Sequence, residues 1–187
     1  METPSQEGKR PPTSDLELLR KAAAGEAAAF EALVERHGQR LYALAVNLIG
    51  SPVDAEDVLQ ETLVGAFRGL SRFEARASVK TWLTRILVTQ AARSRRDRKR
   101  RKMAPMPAAE AFSSVAAEVG GVERAIDLQA ALLRLSAEHR EVLVLREFEQ
   151  LSYEEIAEVL SVPRGTVESR LYRARAALRE SLPGYGG

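Results

Sequence analysis

The sequence predicts an all-α protein built from two small helical domains joined by a flexible linker. Alanine, leucine, glutamate and arginine dominate the 187 residues, and these are good helix formers, whereas aromatic residues make up only 5%. Apolar residues recur at helical spacing through most of the chain. One stretch, residues 103–121, interrupts that pattern with two prolines and two glycines and contains no basic residue.

The composition argues against an enzyme, a metalloprotein and a membrane protein. Cysteine is absent, and the two histidines, His37 and His139, lie far apart in the sequence. We therefore expect no disulfide, no metal site and no cofactor. No nucleophile–base set or phosphate loop is apparent. Because no apolar run approaches the roughly 20 residues of a membrane span, and the first residues lack the apolar core of a signal peptide, we expect a soluble, cytoplasmic protein with no direct membrane insertion.

The first domain is expected over residues 14–102, after a disordered polar tail at 1–13. Ser14 or Asp15 can cap a short helix that ends near Gly25, and a longer helix is expected from residue 26 to residue 49. Ser51 and Pro52 provide a cap and a first helical position for the next helix. A loop over residues 71–78 then precedes a helix from 79 to 102.

One face of the helix after Pro52 is acidic. Asp54, Asp57 and Glu61 fall together, opposite a stripe formed by Leu59, Leu63, Ala66 and Leu70, and Val58 lies beside the acids. This arrangement has two interpretations. It is either a solvated face whose negative charges are stabilised by the helix dipole at the N-terminus, or a docking surface for a basic partner helix. In the second interpretation an exposed Val58 would be a small apolar anchor.

The end of the first domain is strongly basic. Residues 93–102 contain eight basic side chains and one acid, Asp97. A solvated helix end is one interpretation, but this density of positive charge favours contact with a polyanion.

The second domain is expected over residues 122–182, and residues 183–187 are expected to fray. Ser152 and Glu155 predict a capping box at the start of a short helix, and Pro163 separates it from a second one. That second helix buries an apolar stripe formed by Val167, Leu171, Ala174 and Leu178. Such a pair is typical of a helix-turn-helix. It could also be an αα-hairpin facing water, but five arginines against a single glutamate between residues 164 and 179 favour DNA.

Two segments of the chain resemble a known family. The run EEIAEVL, followed by P-x-GTV-x-SRLYRARAAL, closely resembles region 4 of bacterial sigma factors of the extracytoplasmic-function (ECF) group. The segments FEALVERHGQRLYALAVNLIG, DAEDVLQETLVGAFRGL and VKTWLTRIL resemble region 2 of the same family. The resemblance implies a promoter-specificity subunit of RNA polymerase with no enzymatic activity of its own.

The resemblance also implies three interfaces. Region 2 would grip the coiled-coil of the largest polymerase subunit, through Asp54, Asp57, Val58, Gln60 and Glu61. It would also read and melt the −10 element, with Arg72, Phe73, Ser78, Lys80, Arg85, Thr89, Arg93, Arg95 and Arg96. Region 4 would contact the flap of the second-largest subunit and read the −35 element, with Arg164, Thr166, Glu168, Ser169, Arg170 and Arg173. By the same resemblance, the acidic linker would thread toward the polymerase active site, and a cognate anti-sigma factor is expected.

Some residues depart from the family pattern. Thr89 stands where asparagine is frequent, and Arg93 where an acid is frequent. Ser136 replaces a proline and can cap the helix that follows, while Gln150 replaces a turn glycine and predicts local strain. Glu168 occupies a variable readout position, where it could accept a hydrogen bond from cytosine or orient an arginine. A helix-turn-helix regulator outside the polymerase and a helical protein-binding adaptor stay open as alternatives.

Overall fold

A computed structural model describes residues 13–102 and 122–182. The predictions for the linker at 103–121, for the C-terminal end at 183–187 and for residues 1–12 of the tail lie outside the described residues. Within the described ranges the secondary structure is helical, which confirms the predicted fold class. The helices are α1 (Asp15–Ala23), α2 (Ala27–Ile49), α3 (Pro52–Gly69), a short 3-10 helix (Leu70–Arg72), α4 (Val79–Lys102), α5 (Val122–Arg134), α6 (Ala137–Glu147), α7 (Tyr153–Leu160) and α8 (Arg164–Ser181).

Serine caps set the beginnings of four helices, as the sequence predicts. The hydroxyls of Ser14, Ser51 and Ser136 accept hydrogen bonds from backbone N–H groups of α1, α3 and α6. At α7, Ser152 and Glu155 form the complete capping box, because each side chain accepts from the other residue's backbone N–H. These bonds satisfy N–H groups that have no partner inside the helix.

Gly50 and Gln150 both adopt a left-handed backbone at turns between helices. Gly50 ends α2 with φ +79°, and a Cβ there would lie 2.4 Å from the side chain of Leu133, so the close approach of α5 also requires glycine. Gln150 has φ +58° in the turn between α6 and α7. The predicted strain at this position is therefore present in the structure.

The N-terminal half is a bundle in which α2, α3 and α4 pack against one another and α1 packs on α2. Its core is aliphatic, with Leu41, Leu44, Leu48 and Leu87 fully buried. This bundle holds α3 with one side against α2 and α4 and the other side exposed.

The prediction that Val58 is an exposed anchor is wrong, because this side chain is only 2% exposed. The core-facing side of α3 contains Ala55, Val58, Thr62 and Ala66. The expected stripe also faces the core, since Leu70 is buried and Leu59 and Leu63 pack partly buried against it. The buried side of α3 is therefore wider than expected, because α3 packs against both α2 and α4.

The C-terminal half packs α8 across α6 and α7. Val167, Leu171 and Ala174 of α8 are buried, as the helix-turn-helix pattern predicts. This packing leaves the opposite side of α8 at the surface.

The two halves share one continuous core, because α7 packs on α4, and α5 and α6 pack on α2. The buried Arg140 of α6 joins them at the end of α2. Its guanidinium donates to the carbonyl oxygens of Leu132, Leu133 and Leu135 in its own half, and across the boundary to that of Leu48 at 2.8 Å. Burial lowers the pKa of Arg140, and these hydrogen bonds compensate for its lost hydration.

Candidate nucleic-acid and protein interfaces

The exposed face of α8 is the surface predicted to read the −35 element. Glu168, Ser169 and Arg173 are exposed there, and Tyr172 between them is 78% exposed. Thr166 is half-buried, and its carbonyl oxygen accepts from the Ser169 hydroxyl at 3.0 Å. Since the buried stripe fixes the other side of the helix, these side chains project from a rigid support.

Glu168 orients an arginine in this structure. The guanidinium of Arg164 lies 2.9 Å from the carboxylate of Glu168, one turn further along α8, and 2.7 Å from that of Glu154 on α7. Of the two roles considered for Glu168, the structure shows the pairing with an arginine. The three side chains link the end of α7 to the start of α8, at the edge of the exposed face of α8.

Arg170 points toward α6 rather than outward. Its side chain is mostly buried and lies 2.8 Å from the carboxylate of Glu138. A second tie, Arg175 to Glu147 at 2.8 Å, joins α8 to the other end of α6. The hydrogen bond that Arg175 donates to the carboxylate of Glu147 raises the pKa of Arg175. Both arginines therefore connect α8 to α6, the helix on which it packs.

The loop after α3 and the first part of α4 line an open cavity of about 650 Å³. Four of the predicted −10 residues line it, Arg72, Phe73, Arg85 and Thr89. Phe73 packs edge-on against Trp82, with ring centroids 5.2 Å apart. Glu158 and Val159 of α7 also line the cavity, so the C-terminal half forms part of its wall.

The other predicted −10 residues are spread along α4. Ser78 caps the helix by accepting from the backbone N–H of Thr81 at 3.0 Å. Arg93 lies outside the cavity, in a cleft beside the acidic face of α3, and Arg96 is exposed further along. The structure therefore does not bring these residues together into one pocket.

Two cations of this set contact carboxylates of the C-terminal half. Arg95 forms a hydrogen-bonded ion pair with Glu141. Lys80 donates to the carbonyl oxygen of Glu149 at 2.8 Å and lies 3.7 Å from its carboxylate.

The acidic face of α3 is at the surface. Asp57, Gln60 and Glu61 are exposed, whereas Asp54 is half-buried and lies 2.9 Å from the guanidinium of Arg98. The basic end of α4 lies alongside these acids. It lines the same cleft with Arg93, Ser94, Asp97 and Arg98. The face is accessible, and one of its carboxylates is already paired within the chain.

Sequence reasoning missed the apolar side chains of this face. Val53, Val64 and Phe67 are 70%, 41% and 58% exposed, and Phe67 packs edge-on against Phe30. They alternate with Asp57 and Gln60 at i, i+4, i+7, i+11 and i+14, so they follow one side of α3. The same spacing in the sequence could have identified them, had the polar face been searched for apolar residues.

Both halves match family models of one protein family. Residues 33–101 match sigma-70 region 2, and residues 125–178 match sigma-70 region 4. An ECF RNA polymerase sigma factor of Mycobacterium tuberculosis, SigM, is 39% identical over 175 residues, which cover 94% of this chain and 88% of the relative. The chain belongs to the ECF group of the sigma-70 family.

A second relative is similar to this chain in sequence, and two solved structures are similar to it in fold. The RNA polymerase sigma-H factor of Pseudomonas aeruginosa is 34% identical over 90% of this chain and 93% of its own length. The sigma factor RpoE of Bartonella quintana, solved with the anti-sigma factor NepR, has a TM-score of 0.74 at 30% identity, covering 83% of this chain and 98% of that one. CnrH, solved with the cytosolic domain of CnrY, has a TM-score of 0.67 at 28% identity, covering 90% and 96%.

The described part of this sigma factor contains neither a candidate metal-binding cluster nor a candidate membrane-spanning helix. Across residues 13–102 and 122–182, no three histidine, aspartate or glutamate side chains are grouped so that they could hold a metal ion. None of the helices in these ranges has the length and apolarity needed to cross a bilayer.

Proposed function

We propose that this ECF sigma factor binds RNA polymerase core in the cytoplasm and directs initiation at promoters with −35 and −10 elements. The observation that carries the proposal is the presence of both region 2 and region 4 in one chain. Sigma factors are initiation factors without catalysis of their own, so the polymerase would supply the chemistry. No cofactor is expected.

Core binding is assigned to the exposed side of α3. Asp57, Gln60 and Glu61 offer acidic and polar groups, and Val64 and Phe67 offer apolar contacts along the same helix. A coiled-coil with basic side chains, in the largest polymerase subunit, is complementary to such a face. The apolar side chains would supply desolvated area at the centre of the contact.

Binding of the −10 element is assigned to the cavity between the loop after α3 and the first part of α4. Phe73 and Arg72 can stack on or flank an unpaired base, and the cations of α4 can hold the phosphates of the single strand. This combination of a pocket and flanking positive charge suits melted DNA better than duplex.

The −35 element is assigned to the exposed face of α8. Arg173, Ser169 and Tyr172 project from it, and the Arg164–Glu168 pair lies at its edge. A helix presented in this way can enter the major groove. On this account Arg170 supports the helix rather than reading a base, and the flap of the second-largest subunit would contact region 4 elsewhere.

An anti-sigma factor is proposed as a further partner. Two similar structures, those of RpoE and CnrH, contain their sigma factor bound to another protein, NepR and CnrY respectively. This chain aligns with 98% and 96% of those sigma chains. A cognate inhibitor that covers both regions is therefore proposed here as well.

Core association is tested by size-exclusion co-elution of the chain with purified RNA polymerase core. Asp57→Lys should weaken association about tenfold or more, because it places a cation against a basic surface, and tenfold corresponds to about 1.4 kcal/mol. Glu35→Lys, the same charge reversal at an exposed acid of α2, is the matched control and should co-elute normally. Equal co-elution of both variants would contradict the assignment of the acidic face, and failure of the unmodified chain to bind core would favour a regulator or adaptor outside the polymerase.

A further inference from the structure

The start of α8 carries an arginine that is held by two acids. Arg164 is the first residue of this helix. Its Nη1 lies 2.7 Å from the carboxylate of Glu154, in the first turn of α7, and its Nε donates to the carboxylate of Glu168 at 2.9 Å. Two of the three guanidinium nitrogens are therefore engaged within the chain. We call these three side chains the Arg164 cluster.

The Arg164 cluster is not what holds α8 in place. The side chain of Arg164 is 59% exposed, and those of Glu154 and Glu168 are 63% and 48% exposed. Arg170, which connects α8 to α6, is by contrast only 20% exposed, and buried apolar residues anchor the helix. Exposed ion pairs contribute little to stability. Packing therefore gives no reason for an arginine with two acidic partners at this position.

The position of the cluster matters for DNA binding. A recognition helix enters the major groove with its first residues toward the base edges, so the flanking phosphates approach the start of the helix. An unpaired arginine at this position would contact a phosphate. In the Arg164 cluster, two carboxylates accompany one guanidinium. The cluster as a whole is therefore negatively charged and repels a phosphate.

We propose that Glu154 limits the affinity of region 4 for duplex DNA, because together with Glu168 it withholds Arg164 from the phosphate backbone. Glu154 lies on α7, outside the helix assigned to −35 readout, so it acts through Arg164 and is a positioning residue. The inference rests on the proposed −35 role of α8 and deepens it. The sequence-independent part of the affinity stays small, and binding depends on the side chains further along α8.

A purely structural role for the acids leads to a different expectation. A cation at the first position of a helix opposes the helix dipole, and in that case the two acids only offset this cost. Glu154→Gln would then lower the free energy of unfolding without tightening DNA binding. The affinity for duplex DNA therefore separates the two roles.

The test is the binding of the full-length chain to a short mixed-sequence DNA duplex, measured by fluorescence anisotropy at a series of salt concentrations. Glu154→Gln should tighten binding about three- to fivefold at low salt, because it releases Nη1 of Arg164 for a phosphate. It should also steepen the dependence of log affinity on log salt concentration by about 0.9, the effect of one additional phosphate contact.

Two further variants complete the design. Glu180→Gln makes the same change in net charge at an exposed position near the other end of α8, and it should alter the affinity by less than about twofold. Arg164→Ala tests whether Glu154 acts through the arginine. In that background the effect of Glu154→Gln should fall to that of Glu180→Gln, because the arginine that it would release is absent. Urea unfolding of each variant shows that the chain is folded.

The outcomes separate this inference from the proposed function. Unchanged or weaker duplex binding by Glu154→Gln overturns the inference. An equal gain in affinity in the Arg164→Ala background also overturns it, since the effect would then be one of net charge alone. Absence of a promoter-specific transcript with polymerase core would instead contradict the proposed function, and it would leave the result on the mixed-sequence duplex intact.

Discussion

Four arginines of α8 differ in role because their surroundings differ. Arg170 and Arg175 are tied to the carboxylates of Glu138 and Glu147, Arg164 lies between two acids, and Arg173 is exposed on the outer face. The sequence shows five arginines on this helix, Arg179 included, and does not distinguish between them. Only the positions of the acids on α6 and α7 distinguish the arginines that support the helix from those, such as Arg173, that face outward.

Arg173→Ala should reduce −35-dependent initiation about tenfold, because loss of one base or phosphate contact costs about 1–3 kcal/mol. Core binding should be unchanged. The measurement is initiation in vitro from templates with and without the −35 element, with Arg179→Ala, another exposed arginine of α8, as the control. An unchanged dependence on the −35 element in Arg173→Ala would contradict this assignment.

At the scale of single elements, the start of α7 was predictable, whereas the full width of the buried side of α3 was not. A serine followed by glutamate three residues later is a local signal, and the complete capping box is present. The apolar stripe of α3 does face the core, but α3 packs against both α2 and α4. Its buried side therefore extends to Val58, and no local pattern in the sequence contains that information. Val58 was therefore misplaced, and Val64 and Phe67 were overlooked.

The capping box gives a pH dependence. The hydrogen bond from the backbone N–H of Ser152, with smaller contributions from the hydroxyls of Ser152 and Thr81, holds the pKa of Glu155 below its ordinary value of 4.5, against an opposing effect of burial. Because the pKa is lower in the folded state, the stabilisation is complete above the ordinary value. It is lost as the pH falls through the folded-state pKa.

Glu155→Gln should therefore lower the free energy of unfolding by about 0.3–1 kcal/mol at neutral pH, and the difference from the unmodified chain should shrink in acid. Urea unfolding at a series of pH values measures it. Glu180→Gln, on an exposed position of α8, controls for the change in net charge. A difference between the two chains that stays constant from neutral to acid pH would show that the charge of Glu155 does not contribute.

At the scale of the whole molecule, the two helical units were predictable but their association was not. Composition and periodicity indicate two units on either side of residues 103–121. The shared core and the ion pairs between Arg95 and Glu141 or Arg40 and Glu149 join positions far apart in the chain. Each partner looks like an ordinary surface charge in the sequence, and only the fold brings the two together.

The central claim is that this chain gives RNA polymerase core a promoter specificity that core alone lacks. Run-off transcription with purified core on templates from the genome that encodes this chain tests it most directly. We expect transcripts with defined start sites that require the chain and disappear when either promoter element is removed. Tight binding of the chain alone to duplex DNA, with no promoter-specific transcript from any such template, would contradict the account and indicate a regulator that acts outside the polymerase.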